Sequence, residues 1–216
     1  MSTTKREPRT DATTTDDTTV TVLPANEASW DDLQTVFREG GDAAGCQCQW
    51  FKLQRTEWRT TPRAERTALL RQQTACGHAE ATHTTGLVAY LDGEPAGWCA
   101  VEPRTAYPRL LTARVPWAGR DEVRSDESVW AITCFVTRQG FRGKGVSRAL
   151  ARAAVEFARS RGASAVEGYA RRTNPGAKQA PGPLFVGTPS IFAAAGLREV
   201  SQPTPGRVVM RIDFGG

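Results

Sequence analysis

The chain has 216 residues, of which 39% are hydrophobic and 24% are charged, and its formal net charge is +5. This length suits one globular domain of about 100–200 residues with a short tail, and the composition is too apolar for a disordered chain. No run approaches about 18 apolar residues, and the first residues lack an apolar segment, so we expect neither a membrane span nor a secretory signal. Five cysteines without a disulfide-type spacing favour the reducing cytoplasm.

Apolar periodicity predicts a single domain over residues 19–216, after a polar tail at 1–18 whose charges nearly cancel. The Asp92-Gly93 pair between two apolar runs predicts a β-hairpin. In chain order, we predict strands at 19–23, 86–91, 96–101, 129–136, 163–169, 197–200 and 208–214, and helices at 30–37, 62–76, 107–112, 149–161 and 189–195. The pattern indicates an α/β fold with a mixed, mainly antiparallel sheet of six or seven strands flanked by helices.

The most informative segment is the basic turn at 142–147, Arg-Gly-Lys-Gly-Val-Ser, between a central strand and a long helix. Glycines in such a turn let backbone N–H groups at a helix N-terminus converge on a phosphate, which the helix dipole also favours. Two other phosphate-binding patterns fit poorly. A Walker A loop needs Lys where Val146 stands, and a dinucleotide fingerprint needs a third glycine where Arg148 stands.

The turn resembles the pyrophosphate loop of the GNAT acetyltransferases, whose pattern is Arg/Gln-x-x-Gly-x-Gly/Ala. Here the pattern reads Arg142-x-x-Gly145-x-Ser147, with Ser as the last small residue. Cys134-Phe135-Val136 is similar to the family's fourth strand, and 191–197 is similar to its short last helix and the strand after it. The resemblance covers about residues 19–214 and implies a sheet in which the fourth and fifth strands splay apart.

The resemblance also implies acetyl-CoA as co-substrate and a small amine as acceptor, which attacks the thioester directly. It implies that pantetheine pairs with the backbone of Cys134 and Val136, as an added strand would. A backbone N–H of the fourth strand would polarise the thioester carbonyl. The cofactor contacts that it implies are Cys134, Phe135, Val136, Arg142, Gly143, Lys144, Gly145, Val146, Ser147 and Asn174.

Residues for proton transfer are harder to assign from the sequence. The family frequently has a tyrosine as general acid where this chain has Phe192. Tyr169 and Glu167 share one face of a predicted strand, so Tyr169 is a candidate acid and Glu167 a candidate base. A sheet aromatic with its hydroxyl at the rim is the alternative for Tyr169. Glu102 and Glu127, near the ends of neighbouring strands, are further candidate bases.

The Cys46-x-Cys48 and Cys76-x-His78 pairs are more tightly spaced than zinc ligands usually are, so we predict no metal site. The favoured interpretation is that Cys48, Trp50 and Phe51 pack under the loop between the first two helices. In the family that loop usually walls the acceptor pocket, which makes Trp50 and Gln49 candidate acceptor contacts.

Two other functions stay open at this point. A non-catalytic acyl-CoA sensor would account for Phe192. A nucleic-acid-binding protein would account for the positive charge and for Arg148 and Arg152 on one helix face, but the chain has no known nucleic-acid motif and no aromatics interleaved with this stripe. We therefore expect no nucleic-acid or membrane partner, while the identity of the acceptor and a homodimer both stay open.

Overall fold

A computed structural model describes residues 19–38, 41–173 and 185–215. The predicted tail and Asn174 lie outside these residues. The strands are β1 (Val20–Pro24), β2 (Gly86–Leu91), β3 (Glu94–Pro103), β4 (Val129–Thr137), β5 (Ala165–Gly168), β6 (Arg198–Thr204) and β7 (Arg207–Asp213). The helices are α1 (Trp30–Arg38), α2 (Gly41–Cys46), α3 (Arg55–Thr60), α4 (Arg63–Thr74), α5 (Pro108–Thr112), α6 (Val146–Ser160) and α7 (Pro189–Ala193).

The strands form one seven-stranded sheet in the order β1-β2-β3-β4-β5-β7-β6. Every pairing is antiparallel except that of β4 with β5, so the predicted mixed, mainly antiparallel sheet is confirmed. The predicted hairpin is confirmed as well. Asp92 and Gly93 have φ values of 51° and 82°, and a two-residue turn with both φ values positive matches the twist of the strands it joins.

The sheet carries a different apolar layer on each face. On one face, α6 buries residues that include Leu150, Ala154 and Ala158. On the other face, Phe37 of α1 packs with its ring centroid 6.2 Å from that of Trp98 in β3. Within the described ranges, no helix is long and apolar enough to cross a membrane.

Helix α3 was not predicted from the sequence, because it has no buried face and therefore no apolar periodicity. A reciprocal capping box stabilises it instead, in which the Gln54 backbone N–H donates to Glu57 Oε2 at 2.7 Å. Helix α6 also differs from its prediction, since it begins at Val146 rather than at residue 149. Gly145 is its N-cap and has a φ of 82°, so the glycine-rich turn leads directly into the helix.

Strands β4 and β5 separate part way along their length. They pair only from Val129 to Ile132 on β4, although β4 continues to Thr137. On the other side of β4, the register with β3 shifts so that Thr133 is an extra residue without a partner. Such a bulge bends a strand and increases its twist, so it directs the second half of β4 away from β5. The expected splay is therefore present, and we call it the β4–β5 gap.

The ring of Phe192 packs against both strands that border the β4–β5 gap. It is fully buried, and its centroid lies 5.7 Å from that of Phe135. A Cβ atom on Gly168, the last residue of β5, would lie 2.2 Å from Cε1 of Phe192. No real pair of atoms of this kind approaches so closely, so the ring fits only because residue 168 is glycine.

This contact predicts the stability of a Gly168→Ala variant. We expect a loss of about 1–3 kcal/mol in the free energy of unfolding, since the added methyl overpacks a buried contact. Gly206→Ala is the control, because nothing lies within 4 Å of its added Cβ, and it should stay within about 0.5 kcal/mol of the parent. Urea denaturation measures both. In a Phe192→Leu background the added methyl should be tolerated better, and strictly additive losses would contradict this account.

Candidate active site

The turn at 142–147 has the geometry of an anion site. Gly143 and Gly145 have φ values of 78° and 82°, a conformation that favours glycine. Because Gly145 caps α6 without a side-chain hydrogen bond, the first N–H groups of this 15-residue helix are left to face the turn. A cavity of about 270 Å³ lies there, bordered also by Thr137 and Ile191; we call it the loop cavity.

Three cations add positive charge around the loop cavity. Arg142, Lys144 and Arg148 are all exposed, and none of them forms an ion pair with a carboxylate in the described part of the chain. Unpaired cations beside a helix N-terminus attract phosphate through both charge and hydrogen bonding.

The backbone direction of β4 corrects one prediction. The N–H of Arg138 donates to the carbonyl of Ala96, toward β3, at 3.0 Å, whereas the N–H of Phe135 donates to the carbonyl of Phe185 at 2.6 Å. Backbone groups alternate in direction along a strand, so Cys134 and Val136 also direct theirs toward β3. Pantetheine in the β4–β5 gap would therefore meet the backbone of Phe135 and Thr137 instead of that of Cys134 and Val136.

The side chains of Cys134 and Val136 face a second cavity of about 610 Å³, which we call the large cavity. Val136 lines the large cavity, and the next residue, Thr137, lines the loop cavity. The two cavities therefore border consecutive residues of β4. Of the two predicted acceptor contacts, Trp50 lines the large cavity and is 46% exposed. Gln49 is fully buried, donates to the Gln73 side chain at 2.8 Å and does not line the cavity.

Thiols form part of the wall of the large cavity. Cys46, Cys48 and Cys134 line it, and Cys48 Sγ accepts a hydrogen bond from Trp98 Nε1 at 2.9 Å. Burial raises the pKa of Cys46 to about 12 and that of Cys48 well above its usual value. Both are therefore protonated and weakly nucleophilic at neutral pH. Within the described ranges, no group of three or more residues of the metal-binding types is close enough to hold a metal ion.

The structure contradicts the assignment of Tyr169 and Glu167 as acid and base. Glu167 is fully buried, accepts a hydrogen bond from the Tyr169 hydroxyl at 3.0 Å and forms ion pairs with Arg104, Arg120 and Arg211. Burial, with a smaller contribution from Glu167, raises the pKa of Tyr169 well above its usual value. Neither residue lines the loop cavity or the large cavity. We call this group the Glu167 cluster.

The remaining two candidate bases are also displaced from the cavities. Glu102 pairs with Lys52 and accepts a hydrogen bond from Thr85, and it lines neither cavity. Glu127 is exposed and precedes β4, at the end of the strand that lies away from the β4–β5 gap. The structure places neither carboxylate in the wall of the loop cavity or of the large cavity, and the two assignments stay predictions.

Sequence reasoning missed two arginines in the wall of the large cavity. Arg66 comes from α4 and Arg207 begins β7. They lie far apart in the chain and belong to no local motif, so only the fold brings them to one cavity. Asp42, at the start of α2, is the one carboxylate among the described residues that line this cavity, and it is exposed.

Comparison with known proteins gives a family match. Residues 49–180, more than half of the chain, match the Acetyltransferase (GNAT) family. Comparison with curated protein sequences finds no relative.

Solved structures show a similar fold at low sequence identity. An N-acetyltransferase from Staphylococcus aureus superposes with a TM-score of 0.52 and 11% identity, over 90% of this chain and 98% of that one. An aminoglycoside acetyltransferase in complex with coenzyme A gives a TM-score of 0.48 and 17% identity, over 90% and 95% of the two chains. The PaiA N-acetyltransferase from Thermoplasma acidophilum, in complex with coenzyme A, gives a TM-score of 0.46 and 11% identity, over 91% of this chain and 99% of that one.

The Glu167 cluster predicts a large effect on stability. Glu167→Gln should lower the free energy of unfolding by about 3–5 kcal/mol. It removes the one fully buried carboxylate of the cluster, and the three arginines then share the partly exposed Glu122, with Asp213 beside Arg211. Tyr169→Phe removes one hydrogen bond and should cost about 1 kcal/mol. The matched control is Glu199→Gln, since Glu199 pairs with Arg172 where both side chains are about 40% exposed; its loss should stay below about 1 kcal/mol.

Urea denaturation of the three variants tests this ranking. Equal losses for Glu167→Gln and Glu199→Gln would show that the buried cluster does not hold this part of the fold together.

Proposed function

Since the chain belongs to the GNAT acetyltransferase family, we propose that it transfers the acetyl group of acetyl-CoA to a primary amine of a small molecule, in a ternary complex. The observation that carries this proposal is that two cavities border consecutive residues of β4, Val136 and Thr137. The loop cavity lies at the glycine-rich turn, and the large, mainly apolar cavity is lined by residues of β4 that include Cys134 and Val136. A donor with a charged phosphate end and a reactive thioester end needs such a pair of environments.

The described residues fit acetyl-CoA as a co-substrate. Backbone N–H groups at 143–147 would receive the pyrophosphate, with Arg142 and Lys144 neutralising its charge. The backbone of Phe135 and Thr137 would hold pantetheine in the β4–β5 gap as an added strand. The Phe135 N–H already donates to the carbonyl of Phe185, so pantetheine would have to replace that carbonyl there.

The reaction follows from this placement. The acceptor nitrogen would form a bond to the thioester carbon from the large cavity, and the carbon–sulfur bond would then break. A backbone N–H of β4 would stabilise the oxygen that gains negative charge. The nitrogen would lose a proton to water, and the departing thiolate would take one from water.

Solvent is the proposed proton source because neither aromatic candidate among the described residues can supply the proton. Phe192 has no proton to give, and the Tyr169 hydroxyl belongs to the Glu167 cluster. A thiol with a pKa of about 8.5 is an adequate leaving group without a general acid. The penalty is bounded, since general acid catalysis is worth about 10²–10⁴-fold in rate. We therefore propose a slower enzyme and not an inactive one.

The test is the release of free CoA thiol from acetyl-CoA in the presence of a panel of primary amines, together with calorimetric binding of CoA. Gly145→Glu should lower CoA affinity at least tenfold, because it places a carboxylate at the phosphate site. Gly162→Glu is the matched control. Gly162 also has a positive φ, of 80°, and nothing lies within 4 Å of its added Cβ, but it follows the opposite end of α6.

Each outcome decides between functions. Undiminished CoA affinity in Gly145→Glu would show that the phosphate site is misplaced. CoA binding without thiol release for any amine would favour the sensor over the enzyme.

A further inference from the structure

The arginines in the wall of the large cavity differ from the buried arginines of the Glu167 cluster. The three arginines of the Glu167 cluster all pair with carboxylates. Arg66 and Arg207 are partly buried, yet neither forms an ion pair in the described part of the chain. Because buried charges are normally paired, two unpaired guanidinium groups in one cavity indicate a site for an anion.

Arg66 is held rigidly in this wall. Its Nη1 donates to the carbonyl of Gly45 at 3.0 Å and its Nη2 donates to the carbonyl of Trp58 at 2.7 Å. The guanidinium carbon also lies 3.5 Å from the centroid of the Trp58 ring. Its charge is therefore fixed in position although no carboxylate neutralises it, and a preorganised charge of this kind favours ligand binding.

Arg207 lies in a region of unbalanced positive charge. Its Nη2 donates to the carbonyl of Tyr169 at 3.1 Å, while its buried Nε has no hydrogen-bond partner. Arg171 faces it across an isolated β-bridge. Burial, and next the charge of Arg171, lower the pKa of Arg207 below its usual value. An anion bound beside Arg207 would relieve both effects.

Aromatic side chains form another part of the wall of the large cavity. Trp50 and Trp58 pack edge to face with centroids 5.1 Å apart, and Arg109 stacks over Trp50 at 4.0 Å. Phe37 and Phe51 also line the cavity. Rigid aromatic walls of this type bind an apolar, preferably planar, group.

We infer that the acceptor is an amino acid or a close relative, whose carboxylate is bound by Arg66 and Arg207 and whose apolar side chain packs against the tryptophans. This inference rests on the proposed function, since it names the substrate class for the same reaction. With these two arginines in the cavity, polycationic acceptors such as polyamines should be poor substrates, because the arginines repel a second ammonium group.

The charges of the two arginines also reduce the need for a general base. Positive charges near an amine favour its neutral form, and only the neutral amine attacks a thioester. Arg66 and Arg207 would thus lower the pKa of the acceptor ammonium while they bind its carboxylate. The cavity would then need no carboxylate base beyond the exposed Asp42.

The test compares phenylalanine with phenylalaninamide, which differ only in the carboxylate. The amine of the amide is the weaker base, so its larger neutral fraction works against the expected preference. With acetyl-CoA saturating, we expect kcat/KM for phenylalanine to exceed that for the amide at least tenfold. Arg207→Gln and Arg66→Gln should each reduce this ratio at least fivefold, mainly through KM. Arg63→Gln, an exposed arginine on the same helix as Arg66, should leave the ratio unchanged.

Calorimetry with CoA in place of acetyl-CoA separates this inference from the proposed function. The CoA complex should bind phenylalanine at least tenfold more tightly than the amide, without any transfer. If this preference appears but no amine is acetylated, the proposed function fails and the carboxylate site stands. If transfer occurs but the amide or spermidine is as good as phenylalanine, the carboxylate site is overturned and the proposed function stands.

Discussion

The divergence of β4 from β5 is the constraint on which the rest of this structure depends. The bulge at Thr133 bends β4, and β5 ends at Gly168, so none of the strands in the described part of the chain pairs with the second half of β4 on that side. Backbone groups inside a protein need partners, and the Phe185 carbonyl supplies one of them for Phe135. A sheet that leaves one such row open can add a ligand as its missing strand.

Packing keeps the β4–β5 gap open. Phe192 is buried between Phe135 and Gly168, where no larger residue than glycine fits. This position explains the departure from the family pattern, since the ring acts as part of the core and not as a proton donor. The glycine-rich turn leads from the end of β4 into α6, so one local arrangement of backbone sets both the proposed phosphate site and the proposed thioester site.

Much of the fold could be predicted because its signals are local. The Asp92-Gly93 turn and the glycines before α6 report their own backbone conformation. Glu167 could not be read in this way, since its role depends on arginines that are distant in the chain. The backbone direction at Cys134 was predicted wrongly because a bulge one residue earlier leaves no mark on the pattern of apolar residues. Arg66 and Arg207 were missed because they, too, are distant in the chain from the residues with which they share a cavity.

The central claim is that the backbone of β4 in the β4–β5 gap receives the pantetheine arm of acetyl-CoA. Amide chemical shifts of the ¹⁵N-labelled protein, titrated with CoA, test it most directly. We expect the amide signals of Phe135, Thr137 and residues 143–147 to shift and to saturate as CoA is added. The amide signals of Cys134 and Val136 should shift much less than those of Phe135 and Thr137. Shifts confined to 143–147, with Phe135 and Thr137 unmoved at saturation, would contradict it.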